Sequence, residues 1–154
     1  MPDSRQYKVF KIEQGTVIDH IPSPRGLAVF RLLSKNKNSL ISIGLNFDSK
    51  TLGKKDLLKF EGKALSKKET DKISLIAPEA TINIIKGSKV IEKRQMDIPE
   101  EIHGIIKCLN PNCITNIEKL ETKFRVIEKK PVKVACHYCE RNAVVVPDMV
   151  DKGE

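Results

Sequence analysis

The sequence predicts an α+β protein, with a ferredoxin-like βαββαβ sandwich over residues 1–97 and a small all-β, rubredoxin- or zinc-ribbon-like metal-binding domain over residues 98–154. Three observations carry this reading. Apolar residues recur with alternating strand and helix periods as far as Arg94. A polar, proline-containing break, Asp97-Ile98-Pro99-Glu100-Glu101, follows, and all four cysteines lie beyond it.

Val9 to Ile21 reads as one long strand interrupted near Gly15, with Ile18 and His20 on one face and Val17, Asp19 and Ile21 on the other. Pro22 and Pro24 end it. From Arg25 to Leu33, the spacing of Val29, Leu32 and Leu33 predicts a short amphipathic helix, closed by the polar loop Ser34-Lys35-Asn36-Lys37-Asn38. Ile41, Ile43, Leu45 and Phe47 alternate as in a half-buried strand, and Asp56 to Glu61, after a turn at Gly53, is its hairpin partner. Ser66-Lys67-Lys68-Glu69 is a capping box, in which the hydroxyl and the carboxylate each accept a free backbone N–H at a helix start. Ile73, Ile76 and Ala77 then share one helical face, and Pro78 stops the helix. Thr81 to Ile85 and Lys89 to Arg94 flank a Lys86-Gly87-Ser88 turn, as a final strand or hairpin.

A chain of 154 residues buries one ordinary core, or two small ones if the smaller is stapled. With 5% aromatics and no Trp, the core must be aliphatic. The net charge of +8 and pI of about 9.3 suit nucleic acid, anionic nucleotides or an acidic protein surface alike. Neither a secretory leader nor a membrane-spanning run is present, so a cytoplasmic location is expected. In a reducing compartment, cysteines are poor disulfide candidates and good metal ligands.

Cys108-x4-Cys113 and Cys136-x2-Cys139 form two short knuckles separated by 22 residues, with a strand expected at Phe124 to Glu128. Two thiolates from each knuckle complete a closed tetrahedral shell, as in a structural zinc site with one ion per chain. Iron is the chemical alternative. His103 and His137 are not needed as ligands, and a filled shell leaves no position for a catalytic water.

In the first domain, Asp19 and His20 stand on a strand where core packing calls for apolar residues, and Lys59, Asn83 and Lys93 lie on segments able to pair beside it. Lys93 and His20 suit a triphosphate, and Asp19 and Lys59 suit a ribose; the alternative is a solvated strand face. No Walker loop, GxGxxG, triad or catalytic carboxylate pair is present, so no catalytic residue is assigned.

Gly15-Thr-Val-Ile-Asp-His-Ile-Pro22, Ile43-Gly-Leu-Asn46, Gly53-Lys-Lys-Asp-Leu57, Ala77-Pro-Glu-Ala-Thr-Ile-Asn83, Cys108-x4-Cys113-Ile114 and Cys136-His-Tyr-Cys139-Glu140 together carry a resemblance. Over nearly its whole length the chain resembles the regulatory chains of bacterial and archaeal aspartate carbamoyltransferase. The resemblance implies a non-catalytic subunit that exerts allosteric control of pyrimidine biosynthesis. It implies a site for the effectors CTP, ATP and UTP at Val9, Ile12, Val17, Asp19, His20, Lys59, Asn83, Ile85, Val90 and Lys93. It further implies that the zinc domain contacts the catalytic chain, in a dodecamer of two catalytic trimers and three regulatory homodimers, with neither nucleic acid nor membrane as partner. A nucleic-acid-binding zinc ribbon is the rival, but the knuckles lack interleaved aromatics and an arginine cluster. An autonomous zinc hydrolase would need the open metal position that four thiolates deny.

Overall fold

The computed structural model describes residues 11–33 and 39–150; Val9 and the expected 34–38 loop lie outside them. Strands β1 (Gly15–Pro22), β2 (Ile41–Ser49), β3 (Gly53–Glu61) and β4 (Thr81–Lys86) alternate with helices α1 (Gly26–Leu32) and α2 (Lys67–Ile76) in the expected βαββαβ order. β5 (Lys89–Gln95) completes a hairpin with β4. All five strands form one antiparallel sheet in the order β2-β3-β1-β4-β5, a ferredoxin-like arrangement with β5 added at the free edge of β4.

One face of this sheet carries the core. Ile18, Ile21, Leu58 and Phe60 cluster with Val29 and Leu32 of α1 and with Ile73 and Ile76 of α2. Fully burying each such side chain contributes about 1.5–3 kcal/mol before the entropy of ordering is subtracted. The capping box at the start of α2 is formed as expected: Ser66 Oγ accepts the Glu69 N–H at 3.1 Å, and Glu69 Oε1 accepts the Ser66 N–H at 3.1 Å.

Several strand expectations change. β1 begins at Gly15, and residues 11–14 are not strand. Within β1 the pairing slips between Ile18, opposite Leu58, and Ile21, opposite Asp56, so Asp19 and His20 together face one residue of β3. His20 absorbs the bulge at φ +57. The extra residue turns Ile21 onto the face of Ile18, and both are fully buried, whereas alternation put Ile21 beside Val17 and Asp19. β2 carries a matching bulge between Gly44 and Phe47, with Asn46 at φ +67. Ile41 and Ile43 therefore share the face of Phe60 and Leu58, and Phe47 turns to the face of Lys55. Ile43 and Leu45 are 37% and 46% exposed because β2 is an edge strand.

Asp56 lies between the two bulges and is fully buried. Its carboxylate accepts the N–H of Gly26 at 2.7 Å and that of Asn46 at 2.8 Å, so it joins the start of α1 to the bulge of β2. Arg25 donates to the carbonyl of Ile76, linking α1 to the end of α2.

The C-terminal part has a second antiparallel sheet, β6 (Glu101–His103), β7 (Lys123–Lys129), β8 (Val132–Cys136) and β9 (Asn142–Val144), paired in sequence order. β7 contains the strand expected at 124–128. A single helical turn, α3 (Ile114–Ile117), follows the first knuckle. The two sheets share no strand, yet their buried residues form one cluster that includes Ile18, Phe60, Ile98, Phe124, Val134 and Val150.

Candidate metal centre and effector face

The first knuckle places Cys108 and Cys113 in the loop ahead of α3, and the second places Cys136 at the end of β8 and Cys139 three residues on. Antiparallel pairing of Phe124 with Cys136, and of Ile102 with Phe124, brings the two loops to the same end of the small sheet. There Cys108 Sγ lies 3.7 Å from Cys139 Sγ, and Cys113 Sγ lies 3.8 Å from Cys136 Sγ. All four sulfurs fall within 4.8 Å of one another. A tetrahedron with metal–sulfur bonds of about 2.3 Å has edges of about 3.8 Å, so the quartet fits a tetrathiolate-bound ion.

The local chemistry favours a cation. Three of the cysteines are buried and Cys139 is half-buried. Burial pushes the Cys108 thiol up to about 12. At Cys139 burial also raises the pKa, but the Arg141 N–H and the Asn110 side chain outweigh it and bring the thiol down to about 7. The hydroxyl of Thr115, 3.2 Å from Cys113 Sγ, is the main cause that holds the Cys113 thiol below its ordinary value. A metal takes all four sulfurs as thiolates, so binding an ion here releases whatever protons the quartet holds. Among the described residues these cysteines are the one cluster of metal-ligating side chains. His103 instead meets Glu101 at 3.1 Å, and the His137 ring stands edge-on to Tyr138 at 5.2 Å.

On the other sheet, the face away from the helices gathers most of the expected effector residues. Lys59 of β3 pairs with Val17 of β1, Val17 with Asn83 of β4, and Asn83 with Lys93 of β5, so four strands contribute one continuous row. Ile85, opposite Val90, lies next to that row. Ile12, Val17 and Ile85 are buried together with Leu57 beside them, forming a small apolar floor on the far side of the sheet from the main core. Burial lowers the Lys59 pKa, Asp19 opposes that shift, and Lys11 adds to it.

Asp19 and His20 sit at the bulge. Asp19 pairs with Lys55 Nζ at 2.9 Å and accepts the His20 N–H at 2.7 Å, and His20 Nδ1 lies 3.1 Å from Thr81 Oγ1. Lys55 and Thr81 were missed in the sequence. Lys55 lies ahead of the strand expected from Asp56, but β3 begins at Gly53 and puts it on the face of Lys59; the contact of Thr81 depends on the bulge. A separate cleft of about 340 Å³, lined by Thr16, Lys63, Leu65, Ile84 and Arg94, opens on the helix side.

Residues 7–97 match the family described as aspartate carbamoyltransferase regulatory chain, allosteric domain, and residues 100–144 match the corresponding metal binding domain. Relatives named aspartate carbamoyltransferase regulatory chain include those of Thermococcus sibiricus, 54% identical over 89% of this chain and 91% of its own, and of Pyrococcus horikoshii, 54% identical over 88% and 91%. That of Methanocaldococcus jannaschii is 52% identical, over 88% and 91%. With both matched regions accounting for most of its length and relatives above half identity, the chain belongs to the aspartate carbamoyltransferase regulatory chain family.

Proposed function

We propose that this chain is a non-catalytic subunit whose N-terminal part, 1–97, binds nucleoside triphosphates and whose C-terminal part, 98–154, is folded by one zinc ion and docks on aspartate carbamoyltransferase catalytic chains. The observation that carries the effector reading is the four-strand row Lys59, Val17, Asn83 and Lys93 on an open sheet face. Lys93 offers charge for phosphates, Lys59 a donor for a ribose, Asn83 an amide, and the Ile12–Val17–Ile85 floor offers apolar contact for a base. Val9 is included in the site by family resemblance.

Zinc is the proposed ion because a closed tetrathiolate suits a redox-inert, tetrahedral cation. Leu109, Ile114, Ile117, Leu120 and Tyr138, all at least 37% exposed, lie on or beside the knuckles and supply apolar area for the catalytic chain. On the far edge, Ile43 and Leu45 of β2 favour a regulatory homodimer, as the two-trimer, three-dimer assembly requires. CTP, ATP and UTP are the proposed effectors. Each acts by binding one quaternary state more tightly than the other, a difference of about 1–3 kcal/mol in typical allosteric systems.

The decisive experiment mixes the chain with catalytic trimers and titrates each nucleotide while carbamoyl transfer to aspartate is measured. Nucleotide-dependent changes in the aspartate saturation curve, absent from trimers alone, are expected. Unchanged kinetics in a fully assembled complex overturn the effector reading.

A further inference from the structure

The tetrathiolate centre places a large charge in a buried setting. A divalent ion with four thiolates carries a net charge of about −2. Such a charge needs hydrogen-bond donors wherever water is excluded. Cys139 is half-buried and open to solvent, but Cys113 is 1% exposed. Thr115 of the one-turn helix α3, itself 5% exposed, supplies donors to Cys113: its backbone N–H, and its Oγ1–H, which points at Cys113 Sγ from 3.2 Å. The next residue braces the same knuckle, since Asn116 Nδ2 donates to the carbonyls of Cys108 at 2.9 Å and Asn110 at 2.7 Å. Adjacent residues of α3 thus address a ligand sulfur and the backbone that carries its partner.

We infer that Thr115 is a positioning residue of the metal centre, whose hydroxyl holds the buried Cys113 thiolate in its ligating geometry and offsets its charge. The inference rests on the zinc reading above. A valine fills the same volume without a donor, leaving the most enclosed sulfur short of a hydrogen bond. The ligand then loses the contact that orients it, part of the centre's net negative charge goes uncompensated where water is excluded, and the ion is held less tightly. Loss of a partner that orients a ligand lowers metal affinity about 10–100-fold.

The test uses the full chain and four proteins: wild type, Thr115→Val, Thr115→Ser and Thr115→Ala. Zinc affinity is measured by competition with a chromogenic chelator, and the chains are also loaded with Co2+ to record the thiolate-to-metal charge-transfer band. The expected result is zinc affinity lowered about 10–100-fold in Thr115→Val, with Thr115→Ser near wild type. The cobalt band should shift in Val and Ala but not in Ser. If the valine chain does not fold, the Ser and Ala chains differ only by the hydroxyl oxygen and decide the matter alone. Wild-type affinity and spectrum in Val and Ala, or equal losses in Ser and Ala, overturn the inference while leaving the zinc site intact. A wild-type chain that takes up no metal overturns the zinc reading and this inference together.

Discussion

Lys93 reaches the proposed effector face from an edge strand, opposite Asn83 and exposed to solvent. A lysine so placed contributes little to the fold, so its removal isolates its part in ligand binding. Lys93→Ala is expected to weaken triphosphate binding by about 1–3 kcal/mol, the scale of a lost charge-assisted hydrogen bond. Calorimetry showing wild-type affinity would return Lys93 to the surface. Gly26 is the opposite case, a residue whose requirement is steric. A Cβ there would meet the Asp56 Cβ at 2.6 Å and Oδ2 at 2.8 Å, and Asp56 is buried and held by two backbone donors. Gly26→Ala is therefore expected to destabilise the chain by about 1–3 kcal/mol in urea unfolding, the usual cost of overpacking. An unchanged midpoint would mean that the α1 start moves freely away from β3.

At the level of elements, α2 is the best-specified part of the chain. Its capping box, the Lys63–Glu69 ion pair at 2.9 Å and the buried stripe Ile73, Leu75 and Ile76 all point to one start and one orientation. Ser66→Ala is expected to cost about 1 kcal/mol in thermal or urea unfolding. Burial raises the Glu69 pKa, but the Lys63 ammonium and the Ser66 backbone N–H outweigh it and hold the carboxyl below its ordinary value. A depressed folded-state pKa gives stability that is present above the unfolded pKa of about 4.3 and lost as pH falls through the folded one. Glu69→Gln should therefore show a shallower loss of stability below about pH 4.3 than wild type. Parallel pH profiles would show that the ion pair contributes nothing.

Across the whole molecule, the metal centre and the large sheet are tied together by packing. Sequence composition allowed two small cores, but the buried residues of both sheets, Ile98, Ile102 and Ile106 among them, belong to one cluster. Removing the metal, or replacing Cys136 with Ala, is expected to abolish assembly with catalytic chains. The large sheet should keep its circular dichroism but melt at a lower temperature, because part of its packing surface loosens with the small one. Sedimentation shows the first effect and thermal melts the second. Intact assembly in Cys136→Ala would contradict the docking role, and an unchanged melt of the large sheet would show the shared cluster to be energetically idle.

By itself the sequence determined what depends on local pattern and ligand chemistry. The βαββαβ order follows from apolar periods and proline stops, the α2 start from four contiguous residues, and the metal quartet from two knuckles whose thiolates suit one ion. Tertiary structure decided what depends on register. Alternation along Val17 to Ile21 holds no sign that a bulge spends two residues opposite one, so the burial of Ile21 and the Asp19–Lys55 and His20–Thr81 contacts emerge only after β1 pairs with β3 and β4. Nothing local in the sequence marks Asp56 as buried, and only the meeting of α1 with β2 and β3 makes it a buried acceptor for donors 30 and 10 residues away. Such choices belong to long-range pairing, where one inserted residue reverses every side chain beyond it.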